Sequence, residues 1–211
     1  DHISLAHALE RYYGHNVSFH CEDPTLLELY KNESTHEFRR PNVCEYTAID
    51  VAISLIDKYK LSGKICHVST SHGIDLIQNA KMRGIDVKCE VTPHHLFFDM
   101  SMITPENHRF LRMNPPIRSS DDRKYLLDMM SAGCFDYLAT DHAPHTTQEK
   151  LKGISGVPQL DTYGSFVAWL IKDAKIDPVM VWKMACKNPG EWIGNFTGRK
   201  IGRIMTNYEA S

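Results

Sequence analysis

Four short apolar stretches, each followed by helical periodicity, predict a parallel α/β fold whose chemistry sits on one rim. Three observations lead there. The stretches at 17–20, 64–68, 87–91 and 135–140 alternate with segments of helical pattern, and alternating strands and helices make a parallel sheet covered by helices. Each stretch runs into polar, chemically capable residues. These are His20-Cys21-Glu22-Asp23, His67 followed by Ser69-Thr70-Ser71, Thr92-Pro93-His94-His95, and Asp141-His142. In a parallel sheet, and above all in a parallel barrel, those ends share one rim. Finally, no Gly-x-Gly-x-x-Gly follows any strand, which counts against a dinucleotide-binding fold.

Taken in order, residues 1–13 read as a helix on Ile3, Leu5, Ala6, Ala8 and Leu9, ended by Gly14. The strand at 17–20 leaves through Pro24, a helical turn follows at 25–31, and 32–42 is polar loop. A long helix spans 43–59, with Ala48, Val51, Ala52, Leu55 and Ile56 on one side. After the strand at 64–68, a helix at 73–83 uses Ile74, Leu76, Ile77 and Ala80. The strand at 87–91 opens into 97–117, a connection too long to be mere linker. A helix at 121–131 has Ser119 or Ser120 as its N-cap. After the strand at 135–140 the chain crosses a loop with Gly153 and Gly156. It then forms helices at 160–172 and 178–186 and a last short one from Asn188-Pro189 through Ile193.

The totals narrow the function. With 211 residues the chain has room for one good core. A net charge of −2 gives no reason to expect nucleic acid or a membrane surface, and no apolar run approaches the ~20 residues that span a bilayer. The six cysteines form no C-x-x-C pair, and several lie in apolar runs. They read as buried free thiols of a reducing, cytoplasmic setting. Twelve histidines are the one compositional sign of metal or proton chemistry.

That sign concentrates on the strand ends. His20, His67 and Asp141 lie too far apart in sequence for a local zinc knot. They suit a site assembled on a rim, with two imidazoles and a carboxylate around a metal that keeps a position open for water. Asp141 there can bind the metal or move a proton to and from the water. One histidine at a strand end is more often a packed, hydrogen-bonded residue than a ligand; two with an aspartate at equivalent ends shift the balance. His94-His95 carries less weight, since a Pro-His-His turn can simply bond its own loop. His15, His36, His72 and His108 lie in polar contexts that predict exposure, as do His2 and His7 on the first helix. Asn114-Pro115-Pro116 is either a stiff loop or a held amide for a substrate. Residues 153–156 are either a flexible loop or a place where backbone N–H groups approach a ligand.

These residues together resemble the dihydroorotases, of the amidohydrolase superfamily of metal-dependent barrels. The matching stretches are Phe19-His20-Cys21-Glu22-Asp23, Arg40-Pro41 with Glu45, His67-Val68-Ser69-Thr70, Cys89-Glu90-Val91-Thr92-Pro93-His94-His95-Leu96, Asn114-Pro115-Pro116-Ile117-Arg118, and Thr140-Asp141-His142-Ala143-Pro144-His145 with Glu149-Lys150. They span most of the chain. The Thr-Pro-His-His-Leu and Asp-His-Ala-Pro-His runs are the specific ones, because hydantoinases and allantoinases share the layout but usually differ at both.

The resemblance implies a TIM (β/α)8 barrel of which this chain supplies the second half, about strands five to eight, over residues 1–196. Residues 197–211 then begin the return to a small β-sandwich. It implies Zn2+, one or two per intact subunit, held by His20, His67 and Asp141, with Asp141 as the catalytic proton shuttle. Asn114 and His145 match substrate-contacting positions, and Ser155-Gly156 falls where the family's backbone meets the pyrimidine ring. Asp161-Thr162 stands where the family usually has Glu-Thr. The family's first-strand His-x-His and Arg, and its fourth-strand carboxylated Lys or Asp, have no counterpart in this chain. The implied activity is the reversible cyclisation of N-carbamoyl-L-aspartate to dihydroorotate in pyrimidine (UMP) synthesis, with the fragment inactive alone. The partner set is that small-molecule substrate, with no nucleic acid and no membrane, and a homodimer or association with aspartate transcarbamoylase. Two rivals stay open: another cyclic amidase (hydantoinase or allantoinase), and a non-catalytic dihydroorotase-like partner of aspartate transcarbamoylase.

Overall fold

The computed structural model describes residues 2–209; Asp1, at the start of the expected first helix, lies outside them. In chain order the elements are α1 (His2–Leu9, continued by a 3-10 turn at Glu10–Tyr12), β1 (Asn16–Phe19), α2 (Pro24–Tyr30), α3 (Asn42–Lys58), β2 (Ser62–Ile65), α4 (Ser71–Met82) and β3 (Val87–Val91). Then come α5 (Pro93–Phe97), α6 (Ser120–Ser131), β4 (Tyr137–Leu138), α7 (Thr147–Leu151), α8 (Tyr163–Lys172), α9 (Pro178–Trp182) and α10 (Asn188–Thr197). The strands form one parallel sheet in the order β1-β2-β3-β4. This is the expected parallel α/β architecture. No helix among the described residues is long and apolar enough to cross a membrane.

The register separates two faces of the sheet. Phe19, Ile65 and Cys89 share one row, and Ser18, Lys64 and Lys88 share the next; adjacent rows point to opposite faces. The first face is the core. Ile65 and Cys89 are fully buried, together with Ile49 and Ile56 of α3, Ile74 and Ile77 of α4, and Leu126 and Met130 of α6. Gly63 lets α3 approach that face, because a Cβ there would stand 2.2 Å from Ile56 Cδ1. The opposite face is charged, with Lys64 Nζ donating to Glu90 Oε2 at 2.6 Å. The strands are therefore not apolar on both faces, as their composition suggests.

The helices start where caps allow. Asp23, Thr70, Thr92 and Ser119 accept from backbone N–H groups at the starts of α2, α4, α5 and α6. Ser119, rather than Ser120, is the α6 cap. Several elements depart from the sequence reading. The 97–117 connection opens with the end of α5 and carries a 3-10 turn at Met100–Met102. α7, unread in the sequence, is set by a capping box between Thr146 and Glu149. The helix expected at 178–186 passes into a π turn at Lys183–Lys187, just before Pro189, which has no N–H to bond the fourth carbonyl back. α10 then runs to Thr197 rather than stopping at Ile193. Residues 198–209 are turns without a strand, pinned by an Arg199–Glu209 ion pair.

Two exposure expectations also change. His36 is half-buried, with Nε2 2.8 Å from the Met113 carbonyl; burial pushes its imidazole down. All six thiols are free, but Cys66 and Cys134 are half-buried and Cys186, within the π turn, is exposed.

Candidate active site

The C-terminal ends of β1 and β2 place their histidines in direct contact. His20 follows β1 immediately, and its Nδ1 lies 3.0 Å from His67 Nε2. The rings meet edge to face at a centroid distance of 4.8 Å. His67 arrives there by a phase slip in β2. Ser62 N and Cys66 N donate to carbonyls on the β1 side, and Gly63 N to the β3 side. Regular alternation would return Val68 N to β1, yet it donates to Glu90 of β3 at 2.9 Å. The extra residue is His67, at φ +36°. A bulge of this kind re-aims a side chain at a strand end, and it is why the regular strand stops at Ile65 rather than at Val68.

His20 faces a carboxylate, and His67 is buried. His20 Nε2 lies 3.0 Å from Glu22 Oε2. A carboxylate only accepts, so this nitrogen carries the proton and Nδ1 turns its lone pair toward His67. Glu22 is itself gripped by Arg40, Nε to Oε1 at 2.9 Å and Nη2 to Oε2 at 2.7 Å. Burial alone would raise the Glu22 carboxyl, but the hydrogen bonds from His20 and Arg40 prevail and hold it at about 2. His67 is buried, and burial, reinforced by the neighbouring His20, pushes its imidazole toward the neutral form. Its Nδ1 has no partner among the described residues.

Beneath His67, Glu45 of α3 is buried and accepts from Ser69 N (3.0 Å), Thr70 N (2.9 Å), Thr70 Oγ1 (2.8 Å) and Ser69 Oγ. Arg118 closes the network, with Nη2 3.5 Å from Glu45 and Nε donating to Ser69 Oγ at 2.9 Å. His94 and His95 are buried too. His95 bonds Thr92 Oγ1 and the Pro115 carbonyl, so it ties its own loop to the Asn114 loop. His94 finds no partner for either ring nitrogen, and burial drives it down to about 3.

Asp141 lies beyond β4 at φ +48° and is exposed. The strand ladder fades before it: Ala139 N still donates to the Val91 carbonyl at 3.0 Å, but only Tyr137 and Leu138 pair as strand, not 135–140. Partial desolvation first, then the Glu90 carboxylate, push the Asp141 carboxyl up to about 6, with His20 pulling it back. Asp141 thus shares an electrostatic neighbourhood with His20, but among the described residues no three His, Cys, Asp or Glu groups stand close enough to hold a metal.

The remaining expected residues gather nearby. Asn114 follows Met113, forms a cis bond to Pro115, and leaves its buried Oδ1 without a partner. His145 is half-buried, with Nδ1 3.8 Å from Glu149. Gly156 sits at φ +137°, where a Cβ would stand 2.9 Å from His145 Cδ2. Its N–H is spent on the Arg112 carbonyl (2.9 Å) and its carbonyl on Lys150 Nζ (2.7 Å). The buried Lys150 also bonds the Arg112 and Ile154 carbonyls, each at 3.0 Å. The loop is therefore held, not flexible, and the Gly156 N–H is turned inward. Sequence reasoning gave no role to Glu22, Glu45 or Lys150. Their signal was an acidic or basic residue inside matching motifs, and only contacts could turn it into a function.

The donor chemistry fits part of a zinc site. Two nitrogens on one tetrahedral zinc, each at about 2.0–2.1 Å, stand roughly 3.3 Å apart; His20 Nδ1 and His67 Nε2 are 3.0 Å apart. His67 is pushed toward its neutral form by burial, and His20 is oriented by a carboxylate, as metal-bound histidines are. The pair supplies two ligands, and a full set needs donors beyond it.

Comparison with known proteins places this geometry. No family model matches the chain. A dihydroorotase from Geobacillus sp. is 39% identical over 146 residues, covering 66% of this chain and 34% of that protein. Dihydroorotases from Staphylococcus aureus and Fusobacterium nucleatum are each 38% identical, over 148 and 144 residues. The chain thus spans about a third of the length of the curated relatives it matches. Among solved structures, a D-hydantoinase from Thermus sp. superposes with a TM-score of 0.87 at 23% identity, over all of this chain and 50% of that one. An L-hydantoinase from Arthrobacter aurescens gives 0.82 at 22%, over 92% and 46%. At such identity these structures speak for the fold, and the fold is the TIM barrel of the amidohydrolases, of which the four strands here are a part. By sequence the chain is thus similar to dihydroorotases over about two thirds of its length, and by fold it is similar to the hydantoinases.

Proposed function

We propose that this chain forms the back half of a dihydroorotase, which interconverts N-carbamoyl-L-aspartate and dihydroorotate. The observation that carries the reading is the His20–His67 pair, with Nδ1 and Nε2 converging at 3.0 Å on a rim that also bears Asp141. Sequence likeness to dihydroorotases, 39% identical over 146 residues, supports that substrate class. His20 and His67 would hold Zn2+, with Asp141 as a further ligand or neighbour. Bound there, the ion would lower the pKa of a water and polarise the ring carbonyl.

The chain's own residues have separate tasks. Glu22, held by Arg40, fixes the His20 tautomer. Asp141, raised toward neutrality, accepts a proton from the attacking water and returns it to the ring nitrogen as the C–N bond breaks. In the cyclising direction the same carboxyl delivers a proton to the departing hydroxyl. Asn114, with its unpaired Oδ1, and His145 offer polar contacts to the substrate on the same side of the barrel. Ser155 and Gly156 shape that wall.

The test is an assay of the zinc-loaded full-length protein with dihydroorotate, hydantoin and allantoin, beside the 211-residue chain alone. Turnover of dihydroorotate only by the longer protein is the expected result. Preference for hydantoin or allantoin would overturn the substrate assignment. Zinc binding without turnover of any of the three would favour a non-catalytic partner instead.

A further inference from the structure

A second polar cavity, of about 580 Å3, opens between three loops: 34–39, 103–112 and 151–153. Its volume falls in the range of small-molecule sites, roughly 300–1,000 Å3. Arg39, Arg109, Arg112 and Lys152 line it, and Glu37 is the one carboxylate. None of the four cations forms an ion pair among the described residues, although nearly every other buried or half-buried basic side chain of the rim does: Arg40 with Glu22, Arg118 with Glu45, Arg123 with Asp99. The concentration is the more unusual because the whole chain carries a net charge of −2.

Two of the cations are anchored by backbone carbonyls. Arg39 Nε donates to the Glu33 carbonyl at 2.6 Å, and Arg109 Nη1 to the Leu151 carbonyl at 3.1 Å. These bonds anchor the guanidinium groups without neutralising them. Arg112 is half-buried, lies against Gly153, and its buried Nε has no partner. Burial and the neighbouring Arg39 push the Arg112 guanidinium down from its usual value. Like charges held together at a desolvated position are unfavourable unless a counter-charge arrives. The only aromatic rings that line the cavity are the imidazoles of His36 and His108, and His36 is already tied to the Met113 carbonyl.

We propose that this cavity is a binding site for a compact polyanion, a small molecule bearing two or more phosphate or carboxylate groups. Arg112 is its central donor, and Arg39, Arg109 and Lys152 surround it from separate loops. Guanidinium forks suit the oxygens of either group. The site needs neither His20, His67 nor Asp141, so it stands or falls independently of the catalytic reading.

The experiment is calorimetric titration of the full-length protein with inorganic pyrophosphate and, separately, citrate, at low ionic strength. Pyrophosphate tighter than citrate would mark the ligand as phosphate-bearing, and the reverse order as a polycarboxylate; both support the site. Arg112→Gln should weaken binding about tenfold or more, and Lys152→Gln, an exposed change, about threefold. Lys200→Gln, on a distant turn, should leave it unchanged. Thermal unfolding checks each variant, and if Arg112→Gln does not fold, Lys152→Gln and Arg109→Gln decide. Binding of neither anion below about 1 mM, or losses as large in Lys200→Gln as in Lys152→Gln, would overturn the proposal.

Discussion

The two sides of the candidate site are built in opposite ways. The histidine side rests on buried structure: His67 sits at a strand bulge above Glu45, whose carboxylate accepts from four donors of Ser69 and Thr70. One residue further on, Asp122 ties Ser71 to α6, accepting from its N–H and hydroxyl at 2.9 Å each. The aspartate side rests on a two-residue strand paired on one edge only. The Asp141 carboxylate makes no hydrogen bond among the described residues; beyond it a lone parallel bridge pairs His142 with Val157, and His142 Nδ1 accepts from Gln159 N at 3.0 Å and Leu160 N at 3.2 Å. Both His67 and Asp141 adopt positive φ, which costs a non-glycine residue energy. The difference teaches where that cost is carried. Around His67 the network over-determines the conformation, whereas the Asp141 carboxylate, the proposed proton carrier, has no such network.

The largest expected effect separates chemistry from stability. Asp141→Ala should lower kcat for dihydroorotate by about a thousandfold or more while leaving the denaturation midpoint near wild type. A variant that keeps near-normal kcat would remove Asp141 from the mechanism. Glu45→Ala should do the reverse in kind, costing about 3 kcal/mol in urea unfolding because it strands Arg118 and the Ser69–Thr70 donors. A cost below about 1 kcal/mol would show that the histidine side is less over-determined than its contacts indicate.

A third effect is in pH, where the two sides carry opposite signs. Glu22 is held at about 2 against an ordinary 4.5. It stabilises the fold above the ordinary value, and that contribution is lost as pH falls from 4.5 toward 2. Asp141 is raised from 3.8 to about 6, so its contribution is full below 3.8 and is lost as pH rises through 6. Unfolding free energies measured between pH 3 and 7 should therefore show that Glu22→Gln removes an acid-side loss, and that Asp141→Asn removes a loss on the neutral side. Equal slopes in both variants would contradict the contrast. The smallest expected effect is Gly156→Ala, which forces a Cβ at φ +137° against His145 and Ala143. It should cost about 1–2 kcal/mol and raise KM more than it lowers kcat.

The sheet order and the rim were legible because periodicity and strand-end chemistry are local. His20, His67 and Asp141 stand out by residue type alone. The bulge at His67 was not legible, since Cys66-His67-Val68 reads as one unbroken apolar strand; only the switch of Val68 N from β1 to β3 reveals the slip. Glu45 lies in a matching stretch, but its contact with Arg118, distant in sequence, leaves no local signal. α7 is a different case. The Thr146-x-x-Glu149 spacing of a capping box was present in the sequence, but a five-residue helix has too little apolar periodicity to announce itself. Asp141 stands three residues beyond the last strand residue, Leu138, and a pattern of residues carries no sign of how early that ladder ends.

Lys150 has a consequence for how this chain can vary. Its ammonium joins the Arg112, Ile154 and Gly156 carbonyls, so two loops separated by some forty residues share one peg. They cannot drift apart in length independently. An inserted residue between 150 and 156 would pull the peg from the Arg112 carbonyl and shift Met113 and Asn114 along with it. Descendants of this sequence would be expected to change the two loops together or not at all. A chimera that takes 103–118 from one relative and 146–160 from another should fold well only when both donors agree on the spacing around that lysine.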